Sequence, residues 1–235
     1  MSAYHVKRAL EILRDEGVLQ LSNSTYSYIR NGSKKKFHRI RTQWRYRKPS
    51  HPRFQETYLV PVDEIKYILW QNDLRENFGG SKPGKFEVLD GDWDLAKEEF
   101  ERTPIYLGFN QRFTENREWE ETSYYSWLRE ELEYTQEECL NRLNKYDELY
   151  HDIKTNGYDK SQPIIVHIGR NGEYIRHDGV HRLSIAKILE IDSIPVKVRN
   201  VHTNWQALRK DVCKNGLSEG QERLRDHPDL QDILD

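Results

Sequence analysis

The sequence predicts an α/β (α+β) fold in which helices pack on a small mixed sheet. Three observations predict it. Two β-rich runs, 163–168 and 174–177, flank an Asn-Gly turn and therefore form a hairpin. A helical pattern at 180–189 follows directly, and a further β-rich run at 193–201 comes after it. Strand, helix and strand in this order place a helix against the sheet that the strands form.

The N-terminal part of the chain predicts helices followed by a basic segment. Residues 4–20 have helical apolar spacing, and 22–31 form a second helical or irregular piece. The Lys34–Arg53 segment interleaves Lys and Arg with aromatic residues. Such a pattern suits a phosphate backbone and stacked bases, so one interpretation is nucleic-acid binding. The other is a solvated linker, or a strand whose basic face covers acidic parts of the same protein.

A short strand is predicted at Tyr58–Ile65, because apolar and β-branched residues surround Pro61, which suits a strand end. Residues 72–145 then form a large, mostly helical insertion. Its first half has weak periodicity, with an acidic turn at 90–94 that leads into a helix near 95–101.

A long helical run covers 124–155, with a break near 134–136 and a glycine stop at Gly157. Beyond the last strand, residues 203–213 predict another helix. The tail from 217 to 235 is polar and acidic, with apolar residues at roughly helical spacing. It either docks as a helix or stays partly disordered.

Composition and charge narrow the function classes. Net charge is −2, so overall charge does not argue for nucleic acid. No run approaches the ~20 apolar residues of a membrane span, and the charged first twenty residues do not resemble a signal peptide. Cys139 and Cys213 are the only cysteines and lie in no metal-binding pattern, which indicates a reducing, cytoplasmic compartment.

The most informative stretch is Asp178-Gly179-Val180-His181-Arg182, where a strand turns into a helix. A helix N-terminus presents free backbone N–H groups and partial positive charge, which suit phosphate. Gly179 lets the backbone approach the ligand, Arg182 can grip two phosphate oxygens, and His181 can donate a hydrogen bond or proton. Asp178 can ligate Mg²⁺ or take a proton from an acceptor hydroxyl. The alternative interpretation is a helix cap formed by Asp178 beside a surface His-Arg pair.

This motif and four other pieces occur in an order that resembles the ParB N-terminal/sulfiredoxin superfamily, often labelled ParB-like nuclease. In chain order the pieces are Val60–Ile65, 146–158, Gln162–Val166, Asp178–Leu183 and Ile194–Val198. The chain departs from that pattern in two places. The insertion at 72–145 stands where the family usually has a short connection, and 1–57 have no counterpart in the shared core.

The resemblance implies nucleotide chemistry at the motif, where family members bind ATP, ADP or CTP. Some members are free-serine kinases, and others are described as nucleases or ATPases. Val180 stands where sulfiredoxin has its catalytic cysteine, which excludes sulfinic-acid reduction. Partition proteins usually carry an Arg-Arg form of the motif and a helix-turn-helix behind it, so that role is not expected. The remaining branch has the DGxHR form, and its cofactors are ATP or another nucleotide and Mg²⁺. The expected nucleotide-binding residues are Gly179, Val180, His181, Arg182, Leu183 and Ser184.

The leading hypothesis is therefore a nucleotide-dependent phosphotransferase that acts on a small hydroxylated acceptor. Asp178, His181 and Arg182 carry the phosphate chemistry, and Asp178 is the expected metal ligand. Glu64 is a further catalytic candidate, because it follows the first strand and can approach the motif helix. The insertion is expected to supply the acceptor side through Asp92, Asp94, Arg112, Trp119 and Glu120. Their structural alternatives are a solvated turn with Asp94 as N-cap and an aromatic core with charges at its rim.

The chain divides into three predicted parts: an N-terminal helical and basic extension (1–57), the ParB/sulfiredoxin-like core with its insertion (58–201), and a C-terminal helix with an acidic tail (202–235). Two other hypotheses stay open. A nuclease or nucleic-acid-binding protein is favoured by the Lys34–Arg53 segment. A non-catalytic interaction module would lose no function in Asp178→Asn or Arg182→Ala.

Overall fold

The computed structural model describes residues 50–54, 56–70 and 84–234. The strands in these ranges are Thr57–Pro61 (β1), Tyr67–Ile68 (β2), Glu87–Leu89 (β3), Glu98–Glu99 (β4), Ile164–Ile168 (β5), Tyr174–Asp178 (β6) and Ser193–His202 (β7). They form one mixed sheet in the order β1-β7-β5-β6-β2-β4, with β3 paired to the end of β7. The predicted α/β fold is confirmed.

The α-helices of the described residues are Pro104–Phe113 (α1), Ser123–Glu130 (α2), Gln136–Asn156 (α3), Val180–Ile188 (α4), Thr203–Asn215 (α5) and Gln231–Leu234 (α6). Short 3₁₀ helices occupy Val62–Glu64, Trp93–Ala96, Phe100–Arg102, Trp119–Glu121 and Glu219–Leu224. None of these helices is long and apolar enough to cross a membrane. The helices predicted at 4–20 and 22–31, and the basic segment up to Pro49, lie outside the described residues.

The hairpin and the helix after it follow the sequence closely. Strand β5 lies between β6 and β7, and its Ile164, Val166 and Ile168 are fully buried. The predicted turn joins β5 to β6, with Gly172 at φ +93°, the left-handed region that glycine adopts readily. A side chain at Gly172 would also collide with the ring of Trp205. Helix α4 follows β6 after one residue, as predicted.

Two β-bulges interrupt the pairing of β5 with its neighbours. Against β6 the register shifts between Ile165 and Val166, which leaves His177 as an extra residue in β6. Against β7 it shifts between Val166 and His167, which leaves Arg199 as an extra residue in β7. Bulges bend a strand and redirect a side chain, and they are common beside functional sites.

The insertion contributes both helices and strands. Helices α1, α2 and α3 form an aromatic core that packs against α4 through Ile185, in agreement with a mostly helical insertion. The break between α2 and α3 is confirmed, because Thr135 and Glu138 form a capping box where α3 begins. Gly157 ends α3, as predicted.

The helix predicted near 95–101 is wrong. Glu98 and Glu99 form strand β4, which pairs antiparallel with β2, and 3₁₀ turns flank them. The backbone of Phe100 also donates a hydrogen bond to the carbonyl of Lys66 at 2.8 Å. Pairing with the sheet edge therefore overrides the local helical preference. Strands β3 and β4 were not expected in the insertion.

The C-terminal tail docks on α5 rather than remaining disordered. Leu224 and Leu230 are buried, and Asp229 accepts a hydrogen bond from the indole of Trp205 at 2.9 Å. The fully buried Arg209 pairs with Asp229 and with a second carboxylate of the tail. The helical alternative for the tail is the one observed.

Candidate functional site

The predicted motif forms a tight strand-to-helix turn. Gly179 lies between β6 and α4 with φ +87°, and a Cβ there would approach Cδ1 of Ile164 to 2.6 Å. The carboxylate of Asp178 accepts the N–H of Gly179 at 2.7 Å, and α4 has no side-chain cap. The interpretation of Asp178 as the cap of the motif helix is therefore wrong. The first helical hydrogen bond runs from the N–H of Leu183, so three earlier N–H groups lack helical partners.

Arg176 is a buried cation beside this helix start. Its side chain is 7% exposed, and one terminal nitrogen donates to the carbonyl of His177 at 2.8 Å. Its Nε has no partner, and it forms no ion pair among the described residues. Burial lowers the pKa of Arg176 to about 10, against the opposing charge of Asp178. An uncompensated buried charge is costly, so this arrangement is typical of a residue whose counter-ion is a ligand.

His181 points into the aromatic core of the insertion. Its Nε2 shares a hydrogen bond with the hydroxyl of Tyr124 at 2.9 Å, and its ring stacks on Tyr146 at 4.1 Å. Burial lowers the pKa of His181 to about 3, and the positive charges of Arg142 and Arg176 add to the effect. His181 is therefore neutral at physiological pH and is fixed by its neighbours. It connects the motif to the insertion.

The other predicted nucleotide-binding residues divide into two groups. Arg182 stays partly exposed, and it donates to the carbonyl of Gln162 before β5. Leu183 and Ser184 are buried, and the hydroxyl of Ser184 donates to the carbonyl of Val180 at 3.0 Å. From 183 onward the side chains belong to the core. The N–H groups of 180–182 and the Arg182 side chain are the groups that can reach a ligand.

Asp92 and Asp94 lie at the opposite end of the hairpin from the motif. Asp94 is fully buried and accepts hydrogen bonds from the backbone and side chain of Arg170, both at 2.8 Å. Burial alone would raise the pKa of Asp94, but these hydrogen bonds lower it overall. Asp92 is exposed and pairs with the same arginine at 2.8 Å. The pair clamps the hairpin turn to the 3₁₀ helix at Trp93–Ala96, and Asp94 lies within that helix rather than at its N-cap.

Arg112 and Trp119 hold the insertion helices together. Arg112 pairs with Asp147 of α3 at 3.1 Å and with Glu118 at 3.1 Å. The buried indole of Trp119 donates to the same Asp147 at 3.0 Å. Glu120 is exposed on the neighbouring 3₁₀ helix. The structure therefore does not bring these residues to the motif, and their contacts follow the interpretation of an aromatic core with charges at its rim.

Glu64 lies near the other end of α4. Its 3₁₀ helix is tied by a hydrogen bond from Val62 to the carbonyl of Asp192, which follows α4. Glu64 lines a surface cavity with Arg223 and His227 of the tail. The structure therefore separates Glu64 from Asp178 by the length of the helix.

Sequence reasoning missed Arg176 and Arg199. Each lies in an otherwise apolar strand, and each has a buried Nε without a partner. A charged residue within a buried β-rich run was the available signal, because such positions are apolar in a packed sheet unless a partner compensates the charge.

The described residues contain no group of three or more His, Cys, Asp or Glu side chains that could hold a metal ion. Asp178 is the single carboxylate at the motif, and one of its oxygens accepts the N–H of Gly179. A lone carboxylate suits Mg²⁺ that is held mainly by the phosphates of a nucleotide. The donor set fits that arrangement and not a cage made by the protein alone.

The fold and the motif thus define a mixed α/β protein with a cationic corner at a helix N-terminus. Residues 133–215 match the family model of the ParB N-terminal domain. The resemblance to the ParB N-terminal/sulfiredoxin superfamily is therefore confirmed for this region, which includes α4 and strands β5, β6 and β7. Comparisons with curated proteins and with solved structures gave no significant match.

Proposed function

We propose that the N-terminus of α4 binds the phosphates of a nucleotide and that the protein transfers the terminal phosphoryl group to a small hydroxylated acceptor. The observation that carries this proposal is Arg176, a buried guanidinium without a counter-ion beside an uncapped helix start. A polyphosphate would compensate its charge and accept hydrogen bonds from the backbone of 180–182.

The residues of the corner have distinct roles in this proposal. Arg176 and Arg182 hold phosphate oxygens, and Gly179 permits the close approach. Asp178 takes the proton of the acceptor hydroxyl while that oxygen bonds to the terminal phosphorus and the bond to the nucleoside diphosphate breaks. His181 is neutral and positions the start of α4. Bound Mg²⁺ would neutralise phosphate charge, with Asp178 as its single protein carboxylate.

Calorimetric titration with ATP and CTP, with and without Mg²⁺, tests the nucleotide site. We expect one of them to bind, and Arg176→Gln to weaken the binding about tenfold or more, because a charge-assisted hydrogen bond is lost. Arg102→Gln is the matched control, since Arg102 is exposed and pairs only with the nearby Glu99. The absence of binding by every common nucleotide, or unchanged binding by Arg176→Gln, would contradict the proposal.

The match to the ParB N-terminal domain also supports a ParB-like nucleic-acid-binding or nuclease-like function. This second candidate depends on the basic Lys34–Arg53 segment. It predicts DNA or RNA binding whose affinity falls steeply with salt and is abolished when Lys34, Lys35 and Lys36 are replaced by Glu. Nucleotide binding without nucleic-acid binding would exclude it.

A further inference from the structure

The side chains of Arg176 and His177 point to opposite faces of the sheet. Arg176 lies over the ring of Trp70 at 5.9 Å, on the side of α4 and the insertion core. His177 bonds to His167 at 3.1 Å, and His167 packs edge-on against Trp93 at 5.5 Å. The motif strand therefore presents polar groups on both faces, and only the Arg176 face belongs to the site proposed above.

Arg199 is a second cation without a counter-ion. Its Nε is buried without a partner, and its side chain forms no hydrogen bond or ion pair with the described residues. Burial lowers the pKa of Arg199, with Asp178 as the opposing charge. As in the case of Arg176, the protein supplies no carboxylate to pair with it directly.

The two bulges bring Arg199 and His177 together. They are the extra residues of β7 and β6, on either side of β5. Burial lowers the pKa of His177 to about 4, and the charges of Arg199, Arg176 and Lys85 contribute to the shift. The ring is therefore neutral and lies within electrostatic range of the three cations. Its Nδ1 is used by His167, and its Nε2 has no partner among the described residues.

Asp178 is the acid that both sets of cations share. It is the carboxylate whose charge acts on Arg176, on His177 and on Arg199. Arg176 approaches it from the α4 face, and the bulge residues approach it from the other face. A group held by Arg199 would thus lie across Asp178 from a phosphate at the start of α4.

We propose that Arg199, His177 and Lys85 form a second anion subsite, which binds a carboxylate or phosphate group of the acceptor. The inference rests on the proposed function and narrows its substrate class to small anionic hydroxyl compounds. It moves much of acceptor recognition from the insertion helices to the bulged strands β6 and β7. Asp178 then lies between the nucleotide and the acceptor, where a base for the acceptor hydroxyl is required.

Phosphate titration of the nucleotide-saturated protein tests this subsite. The full chain is saturated with the β,γ-imido analogue of ATP and Mg²⁺, and inorganic phosphate or acetate is then titrated by calorimetry. We expect one further anion to bind, and Arg199→Gln to weaken that binding at least tenfold while nucleotide affinity changes less than twofold. The stronger of the two probes identifies the class of the acceptor group. Arg223→Gln, an exposed arginine of the tail, is the matched control.

Three results would overturn the subsite: no second anion binds, Arg199→Gln binds it as the wild type does, or Arg199→Gln loses nucleotide affinity instead. The last result would mean that Arg199 contacts the nucleotide's own phosphates. Failure of the wild type to bind nucleotide contradicts the proposed function separately. In that case phosphate alone is titrated into Arg176→Gln, and loss of the remaining binding in the double variant with Arg199→Gln still supports the subsite, whereas its persistence contradicts it.

Discussion

Gly179 sets the geometry of the motif at the scale of single residues. Its positive φ turns the chain from β6 into α4 within one residue, and its missing side chain leaves room for Ile164 and Arg182. The same turn lets the carboxylate of Asp178 bond to the backbone and leaves the helix start uncapped. One glycine thus determines both the local fold and the availability of the N–H groups.

Gly179→Ala is expected to lower the free energy of unfolding by at least ~1–2 kcal/mol, because a left-handed backbone is strained for alanine. The new methyl group would also meet Ile164 and Arg182. Urea denaturation measures the change. Gly220→Ala is the control, since Gly220 has open space around it, and its effect is expected within ~0.5 kcal/mol. Equal effects of the two substitutions would contradict this role of Gly179.

His181 makes stability depend on pH. Its pKa is about 3 in the folded protein, because burial disfavours the charged ring, against ~6.5 in an unfolded chain. As pH falls from ~6.5 towards ~3, the unfolded chain binds a proton that the folded chain refuses. The free energy of unfolding therefore decreases by up to ~1.4 kcal/mol per pH unit, and this loss is absent above ~6.5.

The test compares urea denaturation of the wild type and His181→Gln at pH 4, 5, 6 and 8. His167 and His177 titrate in both proteins, so the difference in slope isolates His181. We expect the variant to lose stability less steeply between pH 6 and 4, and its difference at pH 8 to report packing alone. Parallel pH profiles would show that His181 is not held neutral by the fold.

Separate elements build the two ends of the hairpin. At the turn, the clamp between Asp94 and Arg170 fixes β5 and β6 to the insertion. At the other end, the bulges and the start of α4 collect the polar groups of the site. The aromatic core of α1, α2 and α3 reaches the site through His181. Stability and ligand binding are thereby assigned to different ends of one supersecondary unit.

Asp94→Asn is expected to lower the free energy of unfolding by about 2–3 kcal/mol, because it leaves the partly buried Arg170 without its main counter-charge. Nucleotide affinity should change less than twofold. Asp92→Asn removes the exposed partner of the same arginine and should cost no more than ~0.5 kcal/mol. Loss of nucleotide affinity at unchanged stability would instead return Asp94 to the ligand site.

At the scale of the whole molecule, the sequence predicts the architecture better than the site. The hairpin turn, the break at Thr135, the glycine ends and the strand before α4 are local signals, and each is confirmed. Strands β3 and β4 could not be predicted, because two- and three-residue strands form by pairing with a distant edge and carry little local pattern.

The site depends on burial and on pairing between distant residues, which spacing does not encode. Asp94 resembled a ligand or a cap until Arg170 was found against it, 76 residues away. Arg176 and Arg199 looked like ordinary charged residues, because their missing partners become visible only when the sheet is assembled. The glycine, the acid and the arginine of the motif were identified because their requirements are local.

The central claim is that phosphate binds to the backbone at the start of α4. Backbone amide NMR of the full chain during nucleotide titration tests it most directly. We predict that the amide signals of Val180, His181 and Arg182 shift most, and that inorganic triphosphate reproduces their direction. Saturable nucleotide binding that leaves these three signals unchanged and moves others would contradict the claim.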